Sequence, residues 1–500
     1  MAEIVIAGGG VSGLTAGIYA LKNGFETVIV ERHRTAGGNL TGWKREGYEI
    51  DNCVHWLTGT NPSTQTYKLW RETGAITENT AIYTADAFYT YKHGDKTVSL
   101  GKDLYKTKRD MLTLAPEDKR EIKRFISAVE NMWKICDLCG KNHDEKAGFF
   151  GKLSGGAGLL RYLSLTIEEL SEKFKNETLR SAIGGYIGGP FAAIGLICAY
   201  AHFTAENGGV VEGGSLEMSK RMVQKYLTLG GKLILNSAVT GVDVSGSKIK
   251  GVFLDNGEEL RGDYFVFASD IRTTYGEILK MPYPKFVKDG LSDFRTPVFS
   301  SFHTALEISS NVLPFEDETV IKTFGLYEKL LGKTFALRTF PYIKSNNKEN
   351  ATLVQTMSFV CGNYAERWIA LRKKDRAAYN RKKELVAGAV VKTIEKEFPV
   401  LKGKIRIIDV WTPATYNRYT GEPSGAYMSF ILPSHAVPVG KPQRIKGISN
   451  ACVASQWLKA PGGLPIAAEQ GYGAAERIKS YFSKQDFKRI RKVSRITVTE

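Results

Sequence analysis

The sequence has few cysteines, and we do not expect it to be exported. A strand-like run begins almost at the N-terminus, so neither a basic region nor an apolar signal core precedes Gly8. The cysteines lack the spacing of a secreted disulfide framework, and we therefore predict a cytoplasmic protein in which they are reduced packing residues. They are Cys53, Cys136, Cys139, Cys198, Cys361 and Cys452.

Motifs that bind metals or nucleic acids are also scarce. Cys136 and Cys139 form one C-x-x-C pair near His143, but there is no second pair and residues 125–138 look helical, so we predict packing and no metal site. The formal net charge of +17 favours anionic partners. Because no zinc finger, RNP motif or recognition helix is present, we expect membrane headgroups and no nucleic acid among those partners.

No hydrophobic run is clean enough for a membrane span. Residues 181–205 contain no charged side chain and have the length of a span. Two glycine pairs and Pro190 interrupt this segment, and no matching second span exists. We predict a buried element that lines an apolar cavity, with a plain core segment as the alternative.

The N-terminus carries a glycine motif typical of nucleotide binding. Residues 4–6 predict a buried parallel strand, and Gly8, Gly10 and Gly13 follow it at the spacing G-x-G-x-x-G. Gly8 allows a tight turn, Gly10 lets a pyrophosphate approach the backbone, and Gly13 lets the helix 12–22 pack close to the sheet. The free N–H groups and positive end of that helix would hold the pyrophosphate.

An acidic residue completes the motif. Residues 27–30 predict the next strand, and Glu31 ends it where a carboxylate can bind the hydroxyls of an adenosine ribose. The alternative is an ordinary strand-turn-helix with a surface glutamate, but strand, glycines, helix and acid all agree. These features predict a Rossmann-like unit that binds either FAD or NAD.

A second glycine pair favours FAD. Gly37, Gly38 and Asn39 follow Glu31 and Arg32 within GGGVSGLTAGIYALKNGFETVIVERHRTAGGNLTGWKREGYEIDNCVHWLTG. This segment, and ASQWLKAPGGLPIAAEQGYGAAERI near the C-terminus, resemble the FAD-binding segments of phytoene desaturases, carotenoid isomerases, retinol saturases and amine oxidases. The phytoene desaturase-like branch is the most similar. The resemblance covers most of the chain in order and is specific at its two ends.

The resemblance implies the fold class and the domains. We expect an α/β protein with a Rossmann-like FAD-binding domain of the GR2 type and an inserted α+β substrate domain. The expected FAD-binding domain comprises residues 1–61, 206–275 and 430–480, the substrate domain comprises 62–205 and 276–429, and 481–500 form a basic tail.

The resemblance also implies site residues. His55 is a candidate for catalysis, and its alternative role is only to contact the cofactor, because hydride transfer needs no obligatory side-chain base. Trp56, Tyr416 and Tyr419 are the expected substrate residues, although turn packing would explain the tyrosines equally well. The expected FAD-binding residues are Gly8, Gly10, Val11, Ser12, Gly13, Glu31, Arg32, Gly37, Gly38, Asn39, His55, Val239, Ser269, Gln456, Gly462, Gly463, Leu464 and Pro465.

The last glycine-rich turn departs from the family pattern. Many relatives carry Gly-Asp where this chain has Ser455 and Gln456. An amide can still hydrogen-bond a hydroxyl of the cofactor, so FAD binding remains the prediction. A helix that begins near Pro465 would present N–H groups to the pyrimidine side of the flavin.

Three functions fit these features. The first is hydride exchange between flavin N5 and a carbon–carbon bond of a long apolar polyene or isoprenoid, by desaturation, saturation or isomerisation, with an unknown electron donor or acceptor. The second is an amine oxidase-like reaction. The third is a non-catalytic prenyl-binding escort related to the GDP dissociation inhibitors.

The basic tail adds an expectation about location. It mixes lysine and arginine with aromatic and aliphatic side chains, which is typical of peripheral binding to an anionic membrane. A solvated basic tail is the alternative.

Overall fold

Strands occur along most of the chain. The structure is a computed structural model that describes residues 2–136, 149–185, 187, 189–293, 297–309, 313–436 and 440–496. The strands are β1 (Glu3–Ala7), β2 (Glu26–Val30), β3 (Gly42–Arg45), β4 (Tyr48–Asp51), β5 (Leu57–Thr58), β6 (Ile82–Tyr83), β7 (Ala87–His93), β8 (Lys96–Gly101), β9 (Gly208–Val211), β10 (Lys232–Ile234), β11 (Val239–Ser245), β12 (Lys248–Leu254), β13 (Glu259–Arg261), β14 (Tyr264–Phe267), β15 (Phe299–Ile308), β16 (Glu318–Lys322), β17 (Thr334–Arg338), β18 (Asn347–Lys348), β19 (Ala351–Cys361), β20 (Ile405–Trp411) and β21 (Ala451–Val453).

Helices separate these strands and cover the sheets. The α-helices are α1 (Val11–Lys22), α2 (Gln65–Glu72), α3 (Leu104–Leu114), α4 (Lys119–Ile135), α5 (Phe149–Ser164), α6 (Ile167–Ser171), α7 (Glu177–Gly185), α8 (Ala193–Thr204), α9 (Gly214–Thr228), α10 (Lys285–Ser292), α11 (Glu328–Leu331), α12 (Asn363–Lys374), α13 (Arg376–Glu397), α14 (Pro413–Thr420) and α15 (Leu464–Ile496).

A five-stranded parallel sheet contains the glycine motif. Its order is β10-β2-β1-β14-β21, so the N-terminal, middle and C-terminal parts of the chain all contribute strands. Apolar residues of α1, α9 and α15 pack on one face, and those of β12 pack on the other. Because both faces are covered, the strands read as continuous apolar runs. The predicted Rossmann-like α/β fold is confirmed.

The second large sheet of the fold is mixed and has eight described strands. Its order is β20-β15-β19-β17-β16-β7-β8, and β18 pairs with β19 outside this path. Among the described strands of this sheet, β16 and β7 form the one parallel pair. One face packs against α4 to α8 and the opposite face against α12 and α13. Strands and helices are mixed here, as an α+β region predicts; the domain boundaries stay a prediction.

The uncharged segment 181–205 is not one helix. Helix α7 ends at Gly185, and α8 begins at Ala193. Most side chains of α8 are buried, among them Leu196, Ile197 and Tyr200, which confirms the predicted buried element. Within the described residues, no helix combines the length and the apolar character needed to cross a bilayer.

Candidate functional site

A large cavity lies where the two sheets meet, at the carboxyl ends of β1 and β2. Its volume is about 1070 Å³, slightly above the range of roughly 300 to 1,000 Å³ typical of small-molecule sites. The predicted site residues that line it are Gly8, Gly10, Val11, Ser12, Glu31, Arg32, Gly37, Gly38, Asn39, His55, Trp56, Val239, Ser269, Tyr419, Gln456, Gly462, Gly463, Leu464 and Pro465.

The glycine motif shapes the polar end of the cavity. Gly8 has φ of +108°, and a Cβ there would come within 2.9 Å of the Ala268 carbonyl oxygen. A Cβ at Gly13 would overlap the carbonyl oxygen of Gly8, so Gly13 serves close packing and does not line the cavity. At Gly10 the one atom of the described residues within 4 Å of an added Cβ is Gly38 Cα, at 3.9 Å. The space beside Gly10, at the start of α1, is therefore a cradle that a side chain would fill and that a phosphate fits.

Glu31 ends β2 beside this cradle and is buried. Its Oε2 accepts the N–H of Gly9 at 2.8 Å, and its Oε1 accepts the N–H of His33 at 2.9 Å. Burial raises the pKa of this carboxyl group, and the two backbone hydrogen bonds and Arg32 oppose the shift. The lone pairs that remain are the acceptors a ribose hydroxyl requires.

Asn39 supplies an unpaired polar atom at the same end. Its Nδ2 donates to the carbonyl oxygens of Ala426 and Tyr427 at 3.4 and 3.3 Å. Its Oδ1 is buried and has no hydrogen-bond partner among the described residues. A buried acceptor without a partner is costly, and an N–H or O–H donor of a bound nucleotide would satisfy it.

The last glycine-rich turn closes another side of the cavity. Gly462 and Gly463 have φ of +82° and +93°, and α15 begins immediately after them at Leu464, close to the predicted start at Pro465. The Oε1 of Gln456 accepts the N–H of Gly463 at 2.8 Å. Gln456 thus holds this turn in place, and its amide nitrogen remains a donor for a cofactor hydroxyl.

The two tyrosines expected to contact substrate lie away from the apolar end of the cavity. Tyr416 does not line the cavity. Its hydroxyl is buried in the core, within hydrogen-bond distance of Ser301, His303 and Trp411. Tyr419 lines the polar end, where its ring lies 3.9 Å from that of His33. The structure therefore brings neither tyrosine to the apolar end, and turn and core packing accounts for Tyr416.

The other end of the cavity is apolar. Trp56 lies there and contacts Phe88 edge to face, with ring centroids 5.8 Å apart. Helices α4, α5 and α8 form much of the wall, and none of their described side chains there is a carboxylate. The apolar lining residues include Met132, Ile135, Leu159, Leu163, Phe191, Ile194, Ala199, Phe299 and Phe359.

Three side chains with metal-ligating atoms also lie in this wall. The candidate ligand atoms of Cys136, Cys198 and His202 lie within 4.8 Å of one another. Asn207 opposes metal binding, because its Oδ1 accepts the N–H groups of Gly59 and Asn61 and its Nδ2 lies 2.8 Å from His202 Nδ1. The amide thereby occupies the Nδ1 lone pair, and Nε2 carries the hydrogen. Cys139 and His143 of the C-x-x-C segment lie outside the described residues.

His55 lines the cavity beside the eight-stranded sheet. Arg338 Nη2 donates to the His55 carbonyl oxygen at 2.6 Å and to the Tyr342 hydroxyl at 2.7 Å. His55 Nδ1 lies 3.8 Å from Oε1 of Glu318, a buried residue that sequence reasoning missed. Burial lowers the pKa of His55 well below its usual value, and nearby Arg338 lowers it further.

The chain is similar to known flavin-dependent proteins in sequence and in fold. The model of the family described as "Flavin containing amine oxidoreductase" matches residues 11–479. Prolycopene isomerase 1, chloroplastic, of an Oncidium hybrid cultivar is 22% identical over 454 residues, which cover 85% of this chain and 75% of that protein.

Two further similarities cover different shares of the chain. Phytoene desaturase (lycopene-forming) of Paracoccus sp. is 24% identical over 283 residues, 55% of this chain and 56% of that protein. A solved structure of putrescine oxidase bound to putrescine aligns with a TM-score of 0.60 at 14% identity and covers 96% of this chain and 99% of that one. At such identity the structural match shows the shared fold.

Proposed function

The chain belongs to the flavin containing amine oxidoreductase family and is an FAD-dependent oxidoreductase, and we propose that its substrate is a long apolar polyene or isoprenoid. The reaction is hydride exchange with a carbon–carbon bond, in the direction of desaturation, saturation or isomerisation. The observation that carries the proposal is that one cavity joins the glycine cradle to the apolar wall of α4, α5 and α8. Similarity to carotenoid isomerases and desaturases supports it.

Residues of this chain would bind FAD along the polar half of the cavity. The N–H groups at the start of α1 beside Gly10 would hold the pyrophosphate, and Glu31 would accept the ribose hydroxyls. The N-terminus of α15, after Gly463, would present N–H groups to the flavin pyrimidine, where reduction brings negative charge. When bound, FAD supplies hydride exchange at its N5 atom. His55 is the side chain proposed to act on the substrate.

The apolar wall would select the substrate and exclude water. Met132, Leu159 and Phe191 offer contact area without charge, which suits a hydrocarbon chain. An amine oxidase of polyamines would need a counter-charge for the amine that stays protonated. The described wall residues of α4, α5 and α8 offer no carboxylate for that purpose. We therefore favour the polyene over the amine.

The first experiment identifies cofactor and substrate together. The purified protein is expected to be yellow, to bleach with dithionite and to release FAD on denaturation. Anaerobic mixing with polyenes, isoprenoids and amines then shows which class changes the flavin spectrum. Bleaching by amines with hydrogen peroxide release in air, and no conversion of any polyene, would refute the proposal. A colourless protein that binds prenyl groups would favour the escort.

A pair of variants tests the apolar wall. Gly195 of α8 lines the cavity, and the nearest atom to an added Cβ is Phe191 Cδ1 at an ordinary 3.7 Å. Gly195→Phe should fill the apolar end and raise KM for a long polyene at least about tenfold, which corresponds to roughly 1.4 kcal/mol. Gly195→Ala is the control, with nearly unchanged KM. FAD content should stay the same in both.

A further inference from the structure

A row of polar side chains backs the cavity wall behind His55. Glu318 of β16 is paired directly with Arg338 of β17, and Arg338 is paired with Gln355 of β19. Side chains of directly opposed residues share one face of a sheet. All three therefore belong to the face of the eight-stranded sheet that carries Val320 and Ala336 toward the α4 to α8 core.

The backbone that carries His55 is tied to this row. Gln355 exchanges two hydrogen bonds with the backbone of Asp51, at 2.9 and 2.7 Å. Arg338 holds the carbonyl oxygen of His55 at 2.6 Å. Contacts to the main chain thus hold His55 beside Glu318, and among the described residues they leave the Nδ1 atom of the imidazole without a hydrogen bond.

Two buried polar atoms face each other without a hydrogen-bond partner among the described residues. They are His55 Nδ1 and Glu318 Oε1, 3.8 Å apart. This distance is too long for a hydrogen bond, so the two atoms would have to approach by about 0.6 to 1.1 Å to form one. A proton on the carboxyl group would then be donated to the Nδ1 lone pair and would satisfy both atoms at once.

The surroundings put that proton within reach of neutral pH. Burial raises the pKa of Glu318 to about 7, Arg338 lowers it and Asp317 raises it. Arg338 Nε lies 3.6 Å from Glu318 Oε2 and so compensates the carboxylate when the proton leaves. Other groups facing the pair are Asp51, which raises the pKa of His55, and the neutral His303, whose ring centroid lies 6.5 Å from that of His55. Tyr342, whose pKa is also raised by burial, completes the set.

We propose that Glu318 and His55 form a proton-transfer site of the cavity, in which Glu318 stores the proton and His55 passes it between the carboxyl group and the substrate. In the delivering direction, the Oε1–H bond of Glu318 breaks while Nδ1–H forms on His55. The Nε2–H bond of His55 breaks in the same step, and its proton goes to the substrate. His55 stays neutral throughout, and the negative charge remains on Glu318 beside Arg338.

This inference rests on the proposed function. When a carbon–carbon bond becomes double, the substrate loses one hydride and one proton. The flavin takes the hydride, and in this proposal His55 and Glu318 take the proton. Saturation needs the same site in reverse, with Glu318 protonated. His55 is then a catalytic residue, and Glu318 is a positioning residue that acts through it.

The test compares Glu318→Gln with the wild-type holoenzyme. Flavin bleaching or reoxidation by the substrate found in the screen is followed anaerobically as a function of pH. The wild-type rate should break near pH 7. In Glu318→Gln the break should vanish, and the rate should fall by about 100-fold or more. Glu316→Gln is the control, because Glu316 is an exposed carboxylate two positions away, and it should behave like wild type.

A second readout needs no substrate. Infrared spectra of the resting holoenzyme should contain a protonated carboxyl band that disappears as pH rises through about 7 and that is absent from Glu318→Gln. Its absence from wild type, or a wild-type pH profile in Glu318→Gln, would overturn the inference. If the band titrates but no polyene is converted, the proposed function fails and the proton site stands.

A further variant covers the case in which Glu318→Gln does not fold. Glu318→Asp keeps a titrating carboxyl group and the charge beside Arg338 but withdraws it from His55 by one methylene. The band should persist while the rate falls by about tenfold or more. A wild-type rate in Glu318→Asp would contradict a transfer that depends on the approach to Nδ1.

Discussion

Glu31 holds Gly9 through a 2.8 Å hydrogen bond from the Gly9 N–H to its carboxylate, across the gap between the end of β2 and the turn after β1. The same side chain holds the N–H of His33 at 2.9 Å. Glu31 therefore fixes the two backbone segments that frame the ribose end of the cavity and also offers acceptors to the ribose itself. A substitution at Glu31 can therefore affect the backbone hydrogen bonds, the acceptors for the ribose, or both.

The first prediction separates these roles. Glu31→Ala removes charge-assisted hydrogen bonds worth roughly 1.5 to 3 kcal/mol, so FAD affinity should fall more than tenfold. Glu31→Gln keeps one carbonyl oxygen for a backbone N–H and should lose less. Fluorescence titration of the apoprotein with FAD measures both. Wild-type affinity in Glu31→Ala would remove Glu31 from the ribose site.

The second prediction concerns the turn before α15. Gly463 has φ of +93°, a conformation that a β-branched residue adopts only with strain. Gly463→Val should displace the N-terminus of α15 and lower either the FAD content or the flavin reduction potential. Absorbance and a dye-coupled potential titration measure these quantities.

A matched variant separates the loss of a flavin contact from the backbone strain that valine causes at a positive φ. Gly257 has a similar φ of +89° in the turn between β12 and β13, and no atom of the described part of the chain lies within 4 Å of an added Cβ. Gly257→Val should reduce thermal stability without changing the flavin potential. If the two variants have the same FAD content and potential, the turn before α15 does not contact the flavin.

The third prediction follows from the raised pKa of Glu318. Its shift from 4.5 to about 7 means that the folded state binds the proton more tightly than the unfolded state does. Ionisation in this interval therefore costs the wild type roughly 3 kcal/mol of folding free energy as pH rises. The Tm of wild type should fall relative to that of Glu318→Gln between about pH 4.5 and 7. A constant Tm difference across this range would contradict the shift.

The fourth prediction tests the expected membrane contact of the basic tail. Tyr481 packs on Tyr264, with ring centroids 5.1 Å apart, and Phe482 packs on Phe25 at 5.2 Å. A truncation should therefore be placed after Lys484, to keep these contacts while removing five of the tail's lysines and arginines. Sedimentation with anionic vesicles should show binding of the full chain that weakens with salt and binding of the truncated chain that is weaker at low salt. Equal, salt-independent partitioning of both proteins would exclude the tail as a membrane contact.

The sequence was most informative where function depends on the local backbone. The strand before Gly8, the helix after it and the acid at Glu31 could be predicted because steric limits at glycine and the period of the apolar residues act over a few positions. The start of α15 near Pro465 was predictable for the same reason. The resemblance to known flavoproteins supplied the order in which these pieces assemble.

Contacts between distant strands could not be predicted in this way. Glu318 lies beside His55 because β16 pairs with β17 in the larger sheet and Arg338 of β17 holds the backbone of His55. A glutamate next to Asp317 in the sequence shows no pattern that predicts such a neighbour. Tyr416 was open to two interpretations, since an aromatic residue near a glycine-rich turn fits a cavity wall as well as a core, and the structure places its hydroxyl beside His303. The surroundings of Glu318 and of Tyr416 both depend on how strands that are hundreds of residues apart pair and in which register.

The strand order of the parallel sheet has a consequence for biosynthesis. On the ribosome, β1 and β2 emerge first, yet β14 and β21, which complete the sheet beside β1, lie at residues 264–267 and 451–453. At roughly 5 to 20 residues per second, translation of the chain between β2 and β14 takes on the order of 10 to 50 s, and β21 follows β14 after a similar time. During the first of these intervals the edge of β1 that later pairs with β14 has no partner strand. Tight capture of FAD is therefore a late event, which waits until the turn before α15 has left the ribosome.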